Sequence, residues 1–273
     1  KTKFINIIFD YLSLSQAKGL NILRTSKLVL SKDNETKCIT LSSVCIVDEL
    51  TSNHEEAAKK VILHCWDALK KDPNMSVILR SHSGDTDITV LAIALLYEFQ
   101  DRIFLDYGIG KNRKGCWLSN IKMSTKERVA LISFHAFTGN DYLSSFFRKG
   151  KAACCKIMKQ QVRFETAFKL LGASWDLSED TFNMLEEFTC YLYGYKQNNV
   201  YEVRTKLFSK KFGYEHKVVD LSLLPPCQSV LKLHVERSNV VSMIWRQYLQ
   251  PIINIPDLSD HGWLSDGKIR WID

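Results

Sequence analysis

Two aspartates separated by one residue, Asp85 and Asp87, stand where one apolar run has ended and another begins. The stretch from Val77 to Phe99 reads VILRSHSGDTDITVLAIALLYEF: apolar Val77-Ile78-Leu79, a small polar loop from Ser81 to Gly84, the two acids, then an apolar segment. Strand, acidic loop and helix in that order is how an open α/β sheet presents chemistry at the carboxyl ends of its strands. Carboxylates this close repel unless positive charge sits between them, and a hard divalent cation held by oxygen ligands meets that need. The competing reading makes both residues the N-cap and first-turn acids of a helix, favoured by its dipole. Glu55 and Glu56 repeat the arrangement ahead of a second helical stretch. Asp141 follows a third, in Thr138-Gly139-Asn140-Asp141-Tyr142. Each cluster alone has a capping explanation; their convergence at one sheet edge would not.

The elements that must position these acids fall into two halves. Lys3 to Leu14 has helical spacing on Phe4, Ile7, Ile8, Tyr11 and Leu12, with Asp10 inside it. Lys27–Leu30 and Cys38–Ile46 are short apolar pieces, the second rich in β-branched residues, and read as strands. A helix from His54 to Lys70 has acids at its start and Lys70-Lys71 at its end, as the dipole prefers. Asp72-Pro73-Asn74 is a turn, Arg102–Asp106 another strand, and Cys116–Ile121 a further short one. Gly108-Ile109-Gly110-Lys111 lacks the ending and the helix of a phosphate loop and reads as a hairpin-like turn. From Ser124, which opens a capping box with Glu127, helical segments fill 124–137, 143–171, 178–193 and 199–211. Leu224-Pro225-Pro226 breaks the chain before a long helix from Gln228 to Leu249, and an irregular aromatic tail follows. The expected domains are an α/β core over 1–123 and an all-helical half over 124–273.

Composition narrows the class. An apolar fraction of 45% with 25% charged residues over 273 residues is that of a globular protein with ample core. The eight cysteines show no CxxC spacing and several sit in apolar runs, which argues against a zinc site and a secreted disulfide scaffold. Adjacent Cys154 and Cys155 read as helix packing. No apolar run approaches the ~18–20 residues that span a bilayer, so no membrane is expected. The numbering opens on Lys1 with no signal peptide, and the expectation is a fragment. Net charge is +7, concentrated locally in Arg148, Lys149, Lys151, Lys156, Lys159 and Arg163. A polyanion would suit that cluster, and so would a solvated helix face. Ser133 and His135 share a helix end without the acid and elbow a triad needs. His135 reads as a buried histidine, His54 and His82 as surface ones.

The order SNHEEA, SGDTD, HAFTGNDYLSSFFRKGKAA resembles the flap-endonuclease-like branch of the PIN-like nuclease superfamily. Those proteins carry a Glu-Ala-Glu/Asp helix, an Asp-x-Asp strand end and a Gly-x-Asp-Tyr turn leading into a helical DNA-binding motif. More closely, HEEAAKK, SGDTDI, HAFTGNDYLSSF, GKAA, LLPPC, HVERSN and HGWLSDG are similar, over about residues 48–264, to a mobile-element-associated animal family. The resemblance implies a PIN-like (Rossmann-like) fold: a mostly parallel sheet with helices on both faces, followed by the helical half. It also implies a divalent-metal-dependent, structure-selective nuclease in which Mg²⁺ or Mn²⁺ activates water for phosphodiester hydrolysis. Glu56, Asp85, Asp87 and Asp141 are the implied metal ligands and catalytic acids. Glu55 is an outer acid or a cap, and Tyr142 packs under the turn. Phe146–Lys156, with Arg148, Lys149, Lys151 and Lys156, is the implied nucleic-acid-facing turn, with DNA rather than RNA as the partner and an intracellular, nuclear setting. Two departures stand out. Ala58 replaces the third acid of the helix motif, and no early strand ends in aspartate. The alternative implied is a catalytically inactive nucleic-acid-binding or protein-interaction module derived from such a nuclease.

Overall fold

Short polar turns decide how the N-terminal strands pair. In the computed structural model, which describes residues 27–40, 42–54, 57–81, 86–212, 220–265 and 269–271, β1 (Leu28–Lys32) and β2 (Glu35–Ile39) are antiparallel. They are joined by the two-residue turn Asp33-Asn34, in which Asp33 is left-handed at φ 49°. The strand predicted over Cys38–Ile46 is in fact two. β2 ends at Ile39, and β3 (Val44–Ile46) returns antiparallel beside it. The Thr40 hydroxyl accepts from the Ser43 amide at 3.0 Å, so a local side-chain bond closes the reversal. The helix predicted over Lys3–Leu14 lies outside the described residues.

Helix α1 (Ala57–Lys71) buries Ile62, Leu63, Cys65 and Leu69. Its last carbonyls are held by Arg102, which donates to Leu69 O at 3.2 Å and Asp72 O at 3.0 Å. β4 (Val77–Ser81), α2 (Thr86–Leu95) and β5 (Ile103–Tyr107) make a strand–helix–strand unit whose strands pair in parallel. α2 stops short of the predicted Phe99, and a 3₁₀ turn over Tyr97–Arg102 takes over. Gly108 at φ 87° turns the chain into β6 (Lys114–Trp117), antiparallel to β5. The Gly108–Lys111 stretch therefore does lie in a hairpin.

The fold is mixed α/β. Among the described residues, however, parallel pairing is confined to β4 and β5, within two three-stranded sheets ordered β1-β2-β3 and β4-β5-β6. Connection length accounts for the pairings within each sheet: β1–β2, β2–β3 and β5–β6 are joined by short turns and pair antiparallel, whereas α2 supplies the crossover of a dozen or more residues that parallel β4 and β5 need. One face of β4-β5-β6 buries Leu79, Ile103 and Leu105. The other carries the cross-strand row Ile78, Phe104 and Trp117, and Ile78 is 68% exposed. No helix covers Ile78 among the described residues.

Two compact units result: residues up to Ile121 together with Gln247–Asn254, and Lys122–Arg246 together with residues from Ile255. The second is built from α3 (Thr125–Phe137), α4 (Lys151–Met158), α5 (Val162–Leu170), α6 (Glu179–Leu192), α7 (Val200–Phe212) and α8 (Gln228–Arg246). The capping box at the start of α3 is present, with Ser124 Oγ accepting from the Glu127 amide and Glu127 from the Ser124 amide. Its core is aromatic: Phe137, Phe164, Phe168 and Phe188 meet edge-on at centroid distances of 5.0 to 5.9 Å. Arg246, at the end of α8, donates to the carbonyls of Phe168, Lys169 and Leu171 and so caps α5. Strands do not vanish after Ser124 as predicted, because β7 (Trp263–Ser265) and β8 (Ile269–Trp271) pair antiparallel in the tail. The helical segment predicted over 143–171 also starts late. Residues 143–150 are non-helical, with Arg148 left-handed at φ 55°, and the helix begins at α4.

Candidate metal and nucleic-acid site

Of the four acids implied as ligands, Asp87 and Asp141 are described, while Glu56 and Asp85 lie outside the described residues with Glu55 and His82. Asp87 stands in the first turn of α2, half-buried, immediately beyond the carboxyl end of β4. That position satisfies the dipole whatever else the carboxylate does. Asp141 belongs to the helical unit. Asn140 and Leu143 bridge back on each other at 3.0 and 3.2 Å, and Asn140 Oδ1 accepts from the Tyr142 amide at 2.8 Å, so the reversal is closed on both sides. Gly139 enters it at φ 105°, where an added Cβ would lie 2.7 Å from Ser145. The turn is therefore rigid, and its tip holds the Asp141 side chain in solvent.

The approach to α1 is pinned from far along the chain. Asn53 donates to Ile253 O at 2.8 Å and accepts from the Ile253 amide at 3.0 Å, while its own amide donates to Pro251 O. His54 Nε2 bonds Gln250 O at 2.8 Å, and its ring packs on Tyr248 at 5.5 Å. His54 is 4% exposed, not a surface histidine. Burial lowers its pKa, with Lys59 and Lys60 acting the same way and the Gln250 carbonyl opposing them. Ala58 is 8% exposed and belongs to the core side of α1. The lysines after it are engaged elsewhere: Lys59 lies 4.9 Å over the Tyr248 ring, and Lys60 donates to the Asp33 carbonyl.

Asp106, at the end of β5, is an acid that the sequence did not mark out. Arg113 donates to both its oxygens, at 2.8 and 2.7 Å, and Arg80 joins them. The Arg113 bonds, then that of Arg80, hold its pKa below the usual carboxylate range, and the same guanidiniums occupy its lone pairs. Among the described residues no group of three or more His, Cys, Asp and Glu side chains could hold a metal ion. Asp87 and Asp141 by themselves do not make a metal centre.

The basic stretch after Asp141 is sorted by structure into engaged and outward cations. Lys151 Nζ donates to His135 O, Thr138 Oγ1 and Gly139 O at 2.9, 2.9 and 2.6 Å, closing the end of α3. Lys159 pairs with Glu127 at 2.6 Å and Arg163 with Glu187 at 3.1 Å. Lys149 lies 4.6 Å over the Tyr193 ring, and burial, with nearby Lys211 adding to it, lowers its pKa. Arg148 stacks on Phe147, and both Arg148 and Lys156 are exposed. Lys211, from the last turn of α7, adds charge near Lys149; the Lys210-Lys211 pair is its only trace in sequence.

Ser133 is no nucleophile: its hydroxyl donates to Leu171 O at 2.6 Å and accepts from Arg246 at 2.9 Å. His135 is buried against Trp245, as read from the sequence. No family model matches the chain, and no curated protein or solved structure matches it significantly.

Proposed function

We propose that this chain is the core of a divalent-metal-dependent, structure-selective nuclease of the PIN-like type that acts on DNA. The observation that carries the reading is the Gly139–Leu143 turn. It holds an exposed carboxylate, Asp141, on a rigid support and runs directly into Arg148, Lys149 and Lys156. An acid beside phosphate-binding cations is the pairing that phosphodiester hydrolysis needs. The β4–α2–β5 unit, with Asp87 at the start of its helix, has the parallel strand–helix–strand arrangement that such a core uses. Glu56 and Asp85 complete the proposed ligand set; the metal, Mg²⁺ or Mn²⁺, would supply a water of lowered pKa and a clamp for the leaving oxygen. A DNA substrate would place the protein in the nucleus. No helix among the described residues is long and apolar enough to cross a membrane.

Ala58 favours a second reading, a catalytically inactive binding module, because a core methyl stands where the resembling families place an acid. Incubating the protein with flap and single-stranded DNA in Mg²⁺ or Mn²⁺ separates the two. Cleavage lost in Asp87→Asn and Asp141→Asn supports the nuclease. Binding without cleavage supports the module, and neither binding nor cleavage rejects both.

Two further outcomes are expected. Arg148→Ala and Lys156→Ala should weaken DNA binding without altering thermal stability, since both side chains are exposed. Each phosphate contact removed should flatten the log K against log salt slope by about 0.9 on duplex DNA and about 0.7 on single strands. An unchanged slope in both variants would remove this face from the interface. Ala58→Asp should destabilise the chain by about 2–3 kcal/mol in chelator, because it buries a carboxylate. If the new oxygen ligates, Mn²⁺ at a hundredfold excess over Kd restores ~2.7 kcal/mol. Denaturation that Mn²⁺ leaves unmoved would mean position 58 does not face a metal.

A further inference from the structure

The eight cysteines differ sharply in their surroundings, and one pair is aligned by strand register. Cys38 of β2 and Cys45 of β3 are directly opposite each other. Two residues away on either side, Thr40 N donates to Ser43 O and Val47 N to Thr36 O. The alternation of an antiparallel ladder therefore makes Cys38 and Cys45 a hydrogen-bonded pair, with Cα atoms roughly 5.5 Å apart. That lies at the commonest Cα separation of a disulfide, ~5.5–6 Å. Both side chains leave the same face, and the Cys45 thiol donates to the Cys38 carbonyl at 3.8 Å. Cys45 is exposed and Cys38 half-buried, so oxidant reaches the first directly. Cys65, Cys154 and Cys190 offer no such access, being buried, and burial pushes the Cys65 and Cys190 thiols up to about 12.

We propose that Cys38 and Cys45 form a reversible oxidation site that takes a hydroperoxide as its substrate. The Cys45 thiolate attacks one peroxide oxygen, the O–O bond breaks, and water leaves after protonation, giving a sulfenic acid on Cys45. The Cys38 thiolate then attacks that sulfur and expels hydroxide, which is protonated to a second water. Overall, two thiols and one hydrogen peroxide give one disulfide and two waters: each sulfur gives up one electron and the peroxide takes up two. Desolvation and the neighbouring Cys45 both hold the Cys38 thiol above its ordinary pKa, with Lys27 opposing them, so the second step quickens as pH rises. The bond ties β2 to β3 at an exposed edge, within reach of thiol reductants.

The test uses the full chain carrying Cys227→Ser, which removes the exposed cysteine at the start of α8 as a competing site. Cys38 and Cys45 share one tryptic peptide, since neither Lys nor Arg occurs between Lys37 and Lys59. After one equivalent of hydrogen peroxide, then alkylation in denaturant so that buried thiols react, that peptide should be two hydrogens lighter and unalkylated. Cys65, Cys116, Cys154, Cys155 and Cys190 should all be alkylated, and dithiothreitol should restore both missing adducts. In a Cys38→Ser version, Cys45 should instead accumulate a sulfenic acid trapped by dimedone. Retention of both alkyl groups on the peptide, or pairing of Cys45 with any other cysteine or a second chain, would overturn the proposal.

Discussion

Lys151→Ala is expected to cost the helical unit about 2–3 kcal/mol, more than any other cation of the basic stretch, because hydrogen bonds to a charged group contribute ~1.5–3 kcal/mol and this ammonium makes three. The acceptors are the His135 carbonyl in the last turn of α3, the Thr138 hydroxyl and the Gly139 carbonyl just beyond the helix, where positive charge also complements the helix dipole. One of them, Gly139 O, belongs to the residue whose left-handed conformation starts the Asp141 turn. Losing the bond should therefore loosen the turn as well as the helix end. Lys151→Met keeps the aliphatic stem and removes only the donors, so it should be nearly as damaging as alanine. Urea unfolding of both, beside Lys156→Ala as an exposed control, makes the measurement. If Lys151→Met unfolds with the wild-type midpoint while DNA binding falls, Lys151 serves phosphate and not the turn. Its proposed place among the nucleic-acid contacts is thus separable from its structural one.

Features that depend on near neighbours were legible in the sequence. The Ser124–Glu127 capping box is a four-residue signal and appears as expected. Val77–Ser81 reads as a strand because an apolar run meets a polar loop, and the glycines after β5 announce a hairpin. Features set by distant partners were not. His54 reads as a surface residue and nothing local marks Asn53, yet their bonds go to Gln250–Ile253, about 200 positions away. Leu143, Phe146 and Phe147 have near-helical spacing, and nothing local reveals that the Asn140–Leu143 bridge and a left-handed Arg148 delay the helix to α4. The sheet is only partly legible for a related reason: an apolar, β-branched segment identifies a strand but neither its direction nor its neighbour, and among the described residues β4 and β5 alone pair in parallel. At the candidate site, residue types showed where acids and cations cluster. They could not show that Lys151, Lys159 and Arg163 are already engaged within the fold.

His234 should make the helical unit lose about 3 kcal/mol of stability between roughly pH 6.5 and pH 4, at ~1.4 kcal/mol per pH unit once the unfolded histidine is protonated. Its ring lies between Phe137 and Phe146, at centroid distances of 5.1 and 5.3 Å, and is 7% exposed. Burial first, and then the charge of Arg237, depress its pKa to about 4 against the opposing bond to Phe137 O, which is 2.8 Å long. The folded imidazole thus stays neutral where the unfolded one takes up a proton. Stability is full above the unfolded pKa, falls as acid protonates the unfolded state, and levels off below the folded pKa. Glu127 acts in a separate, lower window. Its carboxylate is held at about 2 by the Lys159 bond, then by the Ser124 amide and hydroxyl, so its contribution disappears between about pH 4.5 and 2. His54 and His64 are also depressed by burial and add slope of the same sign. The difference between wild type and His234→Gln isolates the one residue, since glutamine can still donate to Phe137 O but does not titrate. The variant should retain wild-type packing at pH 7.5 and show a profile about 3 kcal/mol flatter from pH 6.5 to 4 in urea midpoints. Identical slopes in the two proteins would mean that His234 takes up its proton in the folded state, and that the Phe137–Phe146 pocket does not exclude the charge.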